Sequence, residues 1–157
     1  MTKRLIVLRH AQAEPLIDGS DHERALTPEG RDQARAAGAT LASAGALPDH
    51  VVCSTALRAR QTLESAVEAA GRIPDPDYER DLYGADVSAA LEVVSRTDPD
   101  VETLLIVGHN PTMAQLVAAF MPDEPLDSFP TAGLAVIDLE VEWLYAAPGT
   151  GAVRLLT

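Results

Sequence analysis

The chain has 157 residues, enough for one hydrophobic core, and 46% hydrophobic with 23% charged residues is an ordinary globular balance. Its 24 acids against 12 Lys and Arg give a formal charge of -12, which argues against nucleic acid or an anionic membrane as partner. One cysteine, Cys53, excludes an internal disulfide and a multi-cysteine zinc site.

The first element is a buried strand. Leu5 to Leu8 are apolar without a break, and the run stops at Arg9-His10. Charge on both sides of so short a run makes it too brief for a signal peptide, and no stretch approaches the roughly 18 apolar residues of a membrane span. A cytoplasmic location is the expectation. A polar loop follows, with turn chemistry at Asp18-Gly19-Ser20-Asp21. Thr27 and Pro28 then predict a helix start, with Thr27 as cap and Pro28 at the first helical position. That helix carries Ala34, Ala37, Leu41 and Ala44 on one face and ends at Gly45.

Val51 to Cys53 predict a second short buried strand. Ser54 or Thr55 would cap the next helix, whose apolar stripe is Ala59, Leu63, Ala66, Val67 and Ala70 and whose stop is Gly71. Arg58 lies in its first turn. Residues 72–85 are irregular, with a short strand near Tyr78. Val87, Ala90, Leu91 and Val94 define a third helix. Leu104 to Val107 form a third buried strand, followed by Gly108-His109-Asn110-Pro111. Asn110 would cap a fourth helix with Pro111 at its first position, buried through Met113, Leu116, Val117 and Phe120. From Ala135 to Trp143 apolar residues alternate with Asp138, Glu140 and Glu142, which predicts a strand. Residues 148–151 are a turn, and Ala152 to Leu156 return as an antiparallel edge strand. The sum is a single α/β domain over residues 1–157: a three-layer α/β/α sandwich on a mostly parallel sheet, closed by an antiparallel C-terminal hairpin.

Three buried strands thus end in LRHA, CSTALR and VGHN. In open parallel sheets ligands bind beyond the carboxyl ends of the strands. If the three are neighbours, Arg9, His10, Arg58 and His109 converge. Guanidinium forks suit phosphoryl oxygens. An imidazole among them can act as a nucleophile, and neighbouring arginines disfavour its charged form. The set suits in-line phosphoryl transfer. Singly, each residue has an ordinary reading: a strand-end pair for Arg9-His10, a helix-surface partner of Glu64 or Glu68 for Arg58, a histidine beside a cap for His109. His22 and His50 read as surface residues. Cys53 and Arg58 have four residues between them, one short of the cysteine-phosphatase spacing. No HExxH pair, Walker A loop or GxGxxG is present, so neither metal nor cofactor is expected.

LRHA at 8–11, STALRARQT at 54–62 and VGHNP at 107–111 resemble the histidine phosphatase superfamily, over nearly the whole chain. The short length, Ala11 where mutase relatives carry glycine, LTPEG at 26–30 and FPTAG at 129–133 look most like the SixA-type phosphohistidine phosphatases. The resemblance implies a phosphoglycerate-mutase-like fold. It makes His10 the nucleophile, with Arg9, Arg58 and His109 as the phosphate pocket that inorganic phosphate or sulfate would also occupy. Ser54, Asn110 and Gln12 are implied as neighbouring substrate contacts, Gln12 standing where a lysine is common. Larger relatives carry an acid before a Tyr-Gly step, which here implies Glu79 or Asp81 before Tyr83-Gly84; SixA-type chains commonly lack one. Only about thirty residues separate the second helix from the third long strand. That leaves little material for a lid and implies an open site for a phosphorylated protein side chain. A metal-independent phosphatase acting on phosphohistidine is therefore expected. The alternatives are a phosphomonoesterase on a small metabolite and a phosphate-binding module without turnover.

Overall fold

A computed structural model describes residues 2–121, 126 and 128–156. Six strands form one sheet: β1 (Lys3–Arg9), β2 (His50–Ser54), β3 (Asp77–Glu79), β4 (Thr103–Gly108), β5 (Leu134–Leu139) and β6 (Gly151–Leu155), in the order β3-β2-β4-β1-β5-β6. The first four run parallel; β5 is antiparallel to β1 and β6 to β5. The helices are α1 (Pro28–Ser43), α2 (Leu57–Ala70), α3 (Val87–Ser95) and α4 (Thr112–Ala119). The expected mixed α/β sandwich with a C-terminal antiparallel hairpin is what forms. No helix among the described residues is long and apolar enough to cross a membrane.

The continuous apolar run of β1 follows from its central place. Successive strand side chains face opposite sides, and both sides are covered. Leu5 and Val7 join a core with Ala90, Val93, Met113 and Leu116 of α3 and α4. Ile6 and Leu8 join a second core with Ala37, Leu41, Ala59 and Leu63 of α1 and α2. The two helices of that second layer touch closely at Gly38, where a Cβ would lie 2.1 Å from the Ala66 carbonyl oxygen.

Helix ends match the sequence unevenly. Thr27 caps α1, its hydroxyl accepting from Gly30 N at 2.9 Å. Asn110 also caps, its Oδ1 accepting from Ala114 N at 3.1 Å, although α4 begins at Thr112 and Pro111 precedes it. Ser54 and Thr55 do not cap α2, whose N-cap is Ala56, because both hydroxyls are turned to histidines instead.

The alternation that predicts a strand to Trp143 holds only to Leu139. Trp143 sits in a 3-10 turn, fully buried, and its Nε1 donates to Val101 O at 2.7 Å. The apolar period continues because Trp143 is buried in the α3/α4 core, near the carboxyl end of α3, not because the ladder extends.

Candidate active site

Leu8, Val107 and Cys53 stand level across β1, β4 and β2, as the pairs Leu8–Val107 and Cys53–Val107 show. The next row is Arg9, Gly108 and Ser54, and His10 and His109 follow directly. The three strand-end motifs are therefore adjacent in space, and the rings of His10 and His109 lie 5.2 Å apart between centroids. Arg58 reaches the same edge from the first turn of α2 and is buried, whereas Arg9, His10 and His109 keep partial exposure.

His10 is fixed by backbone. Its N–H donates to Gly108 O at 2.9 Å and its carbonyl accepts from Ala132 N at 3.1 Å. Ala132 adopts φ +57°, a left-handed turn that brings the PTAG segment back to β1. Nδ1 of His10 lies 2.8 Å from the Ala11 carbonyl. A carbonyl only accepts, so Nδ1 carries the proton and Nε2 keeps its lone pair. Burial pushes the imidazolium pKa down to about 4, and Arg58, Arg9 and Arg24 push in the same direction against the Ala11 bond. Desolvation, more than the arginines that the sequence suggested, keeps this ring neutral.

His109 is set by Ser54. Ser54 Oγ lies 2.8 Å from His109 Nε2 and accepts from Ala56 N at 3.3 Å. Its own proton is then available to Nε2, which leaves the His109 proton on Nδ1. Burial, and then Arg58, lower the His109 pKa to about 3. Ser54 is thus placed behind His109, as a buried group orienting the ring.

Both arginines are held by one end. Arg9 Nη1 donates to Phe129 O at 3.0 Å, and Asn110 Nδ2 donates to the same carbonyl at 2.9 Å. Arg58 Nη1 donates to Asp21 O at 2.8 Å and Nη2 to Asp21 Oδ2 at 3.1 Å. Three buried side-chain polar atoms have no hydrogen-bond partner among the described residues: Arg9 Nε, Arg58 Nε and His109 Nδ1. Buried donors are normally satisfied. Three orphans on the residues gathered around His10 make a cradle of donors lacking an acceptor, which is the chemistry of an anion site.

Asp21 is the residue that sequence reading passes over as turn chemistry. Besides Arg58, it accepts from Tyr83 Oη at 2.8 Å and from Arg24 Nη1 at 2.9 Å. Those bonds, from Arg24 first, hold its carboxyl well below the usual range. Tyr83 stands edge-on to His109 with centroids 5.7 Å apart, and to His22 at 4.9 Å. His22, read as a surface residue, therefore belongs to the rim of the site. Thr62, one turn after Arg58 on α2, is also structural here: its hydroxyl accepts from Ala11 N at 2.9 Å and donates to Arg58 O at 2.7 Å. A polar residue inside the apolar stripe of α2 was the available signal.

The remaining sequence candidates have other bonding partners, although Glu79 stands beside Ser54 in the β2–β3 ladder. Glu79 ends β3, but its carboxylate is 3.7 Å from Arg96, just beyond α3, and accepts from Asp81 N at 3.3 Å. Asp81 is exposed. Neither acid is bonded to the cradle. Gln12 Oε1 accepts from Thr27 Oγ1 at 2.9 Å, so its side-chain carbonyl serves the start of α1. Gly30 packs there so closely that a Cβ would lie 2.0 Å from Gln12 O, which explains the LTPEG stretch as the buttress of the loop after His10. Among the described residues no three His, Cys, Asp or Glu side chains gather as a metal-ion site.

Residues 5–83 match the model of the histidine phosphatase superfamily (branch 1). An uncharacterised Mycobacterium tuberculosis protein is 35% identical, over 93% of this chain and 96% of its own length. The phosphohistidine phosphatase SixA of Escherichia coli is 29% identical over 87% of this chain and 86% of its own. The solved structure of the protein histidine phosphatase SixA complexed with tungstate superposes with a TM-score of 0.79 at 26% identity, covering 96% of this chain and 94% of that one.

Proposed function

This chain belongs to the histidine phosphatase superfamily (branch 1), and from that premise we propose that it hydrolyses phosphohistidine on a protein through a covalent phosphate on His10. The observation that carries the reading is the set of unpaired buried donors, Arg9 Nε, Arg58 Nε and His109 Nδ1, around an imidazole whose Nε2 is free and uncharged. A phosphoryl group, a dianion with three oxygens, supplies acceptors for such donors, and tungstate in the SixA structure is a phosphate analogue.

In the first step His10 Nε2 attacks phosphorus in line. The P–Nε2 bond forms as the bond from phosphorus to the substrate imidazole breaks, and that imidazole leaves neutral with a proton it already carries or takes from solvent. Arg9, Arg58 and His109 hold the charge on the equatorial oxygens. In the second step water attacks phosphorus, the P–Nε2 bond breaks, and inorganic phosphate leaves with His10 restored. No step needs a metal ion. A protonated imidazole leaves easily, so the reaction needs no carboxylic acid in the site. Glu79, engaged by Arg96, fits that requirement better than it fits the role of acid for an alkoxide leaving group.

The test is phosphate release from a phosphohistidine-bearing domain and from an aryl phosphate, side by side, with chelator present and His10→Ala as control. Faster, chelator-insensitive and His10-dependent release from the phosphohistidine domain is expected. Preference for the aryl phosphate would replace this reading with a small-molecule phosphomonoesterase, and binding of phosphate without release from either would leave a recognition module.

A further inference from the structure

Beside the phosphate cradle lies a second cavity of about 430 Å³, lined by His22, Thr55, Arg80 and Tyr83. It adjoins the site through Tyr83, whose ring contacts His109 and whose hydroxyl shares Asp21 with Arg58. A phosphoryl group held by Arg9, Arg58 and His109 must have its leaving group on one side, and Tyr83 is the residue that this cavity shares with the edge of the cradle.

Three of its four lining side chains, His22, Thr55 and Tyr83, are fixed by hydrogen bonds. His22 Nδ1 lies 2.9 Å from Glu23 Oε1, so it carries the proton, and Nε2 accepts from Thr55 Oγ1 at 2.9 Å. The Thr55 hydroxyl keeps lone pairs for a visitor. Arg80 and Tyr83 are three residues apart across a 3-10 turn, a spacing that puts both side chains on one face.

Arg80 is exposed and forms no ion pair or hydrogen bond through its guanidinium among the described residues, although acids outnumber bases two to one in this chain. The neighbouring acids do not pair with it: Glu79 pairs with Arg96, the exposed Asp81 forms no ion pair with it, and Asp21 and Glu23 serve Arg58, Arg24, His22 and Arg60. A free, forked cation lining a cavity is suited to receive a carboxylate.

We propose that this cavity is a leaving-group subsite in which Arg80 reads a carboxylate carried by the substrate beside its phosphorylated group. For a phosphohistidine protein, that carboxylate belongs to an Asp or Glu flanking the histidine; for a small phosphate ester, it belongs to the alcohol portion. The subsite rests on the phosphatase reading but not on which of these substrates is the right one.

The experiment measures kcat/KM for wild type, Arg80→Gln and Arg80→Glu. One set of substrates is a phosphohistidine peptide with Glu, Gln or Lys at the flanking positions. The other is phenyl phosphate against carboxyphenyl phosphate. An exposed ion pair predicts about a three- to fivefold preference for the carboxylate-bearing substrate in wild type, expressed in KM. Arg80→Gln should erase it and Arg80→Glu should turn it toward Lys. The ratio of carboxyphenyl phosphate to phenyl phosphate hydrolysis, rather than either rate alone, should fall in Arg80→Gln and fall further in Arg80→Glu. If only the aryl phosphates turn over and the carboxylate preference follows Arg80, the subsite stands and the phosphohistidine assignment falls. Equal rates on Glu, Gln and Lys peptides and on both aryl phosphates would overturn the subsite, as would a preference that survives Arg80→Gln.

Discussion

Asp21 meets Arg58 twice, its carbonyl accepting from Nη1 at 2.8 Å and its carboxylate from Nη2 at 3.1 Å. The end of the guanidinium is thereby occupied, and its side edge, with the unpaired Nε, is left for the cradle. A residue in an otherwise exposed loop so sets the angle of a buried one. Charge-assisted bonds of this kind are worth about 1.5–3 kcal/mol. Asp21→Ala should therefore lower kcat/KM about ten- to hundredfold. In an Arg58→Ala background the same change should cost little more, since the partner is already gone. Full additivity in that double-mutant cycle would show that Asp21 does not act through Arg58.

Ser54 and His109 make a second such pair, at 2.8 Å. Without the hydroxyl, His109 loses the bond that keeps its proton on Nδ1 and divides between tautomers. Ser54→Ala should lower kcat about tenfold, in line with a neighbour that fixes a working histidine. Nitrogen-15 NMR of the His109 ring should show the Nδ1–H tautomer in wild type and a mixture in the variant. An unchanged tautomer with unchanged kcat would remove Ser54 from the account.

The pH dependence follows from the two buried imidazoles. With His10 at about 4, the free-enzyme base should remain deprotonated through pH 5, and the acid limb of kcat/KM should lie near 4 rather than near the ordinary 6.5. Stability moves in the same direction. His10 and His109 bind protons less readily folded than unfolded. Between about pH 6.5 and 4 the unfolded chain therefore holds more protons, and stability falls as pH drops through that window. Each imidazole contributes up to about 1.4 kcal/mol per pH unit to the slope. Urea unfolding at a series of pH values should show this loss, and His109→Gln should flatten it. A stability flat from pH 7 to pH 4.5 would contradict the burial of these rings.

The α1–α2 contact gives a prediction independent of chemistry. Gly38→Ala would gain about 1 kcal/mol of helix propensity in an exposed position. Here the new methyl would meet Ala66 O at 2.1 Å. Parting two backbones should cost more than it gains, with a net loss of about 1–3 kcal/mol in denaturant unfolding. A stabilised variant would mean that the two helices do not pack at this glycine.

Much of this site was legible because its residues sit at the ends of short apolar runs. Arg9-His10 and His109 are marked by where the hydrophobic stretches stop, and Arg58 by its place in the first turn after β2. What the sequence could not supply was the side-chain and carbonyl bonding that depends on loop paths. Asp21 looks like any turn acid, and the Phe129 carbonyl that holds Arg9 and Asn110 has no side-chain signature at all. Glu79 shows a candidate that bonding, not sequence, has to place. The resemblance offers it as an acid before Tyr83-Gly84, and at the end of β3 its carboxylate is engaged by Arg96. Trp143 misled outright: a period-two pattern outlasted the strand because a buried plug happened to keep its phase.

The central claim is that phosphate passes through Nε2 of His10. The direct measurement is rapid acid-free quenching of the protein during turnover of a phosphohistidine domain labelled with phosphorus-32, followed by peptide mapping. The account predicts an alkali-stable, acid-labile label on the peptide containing His10, formed and lost at rates that support turnover, and absent from His10→Ala. Turnover at full rate with no label on that peptide, or with label on another residue, would contradict it.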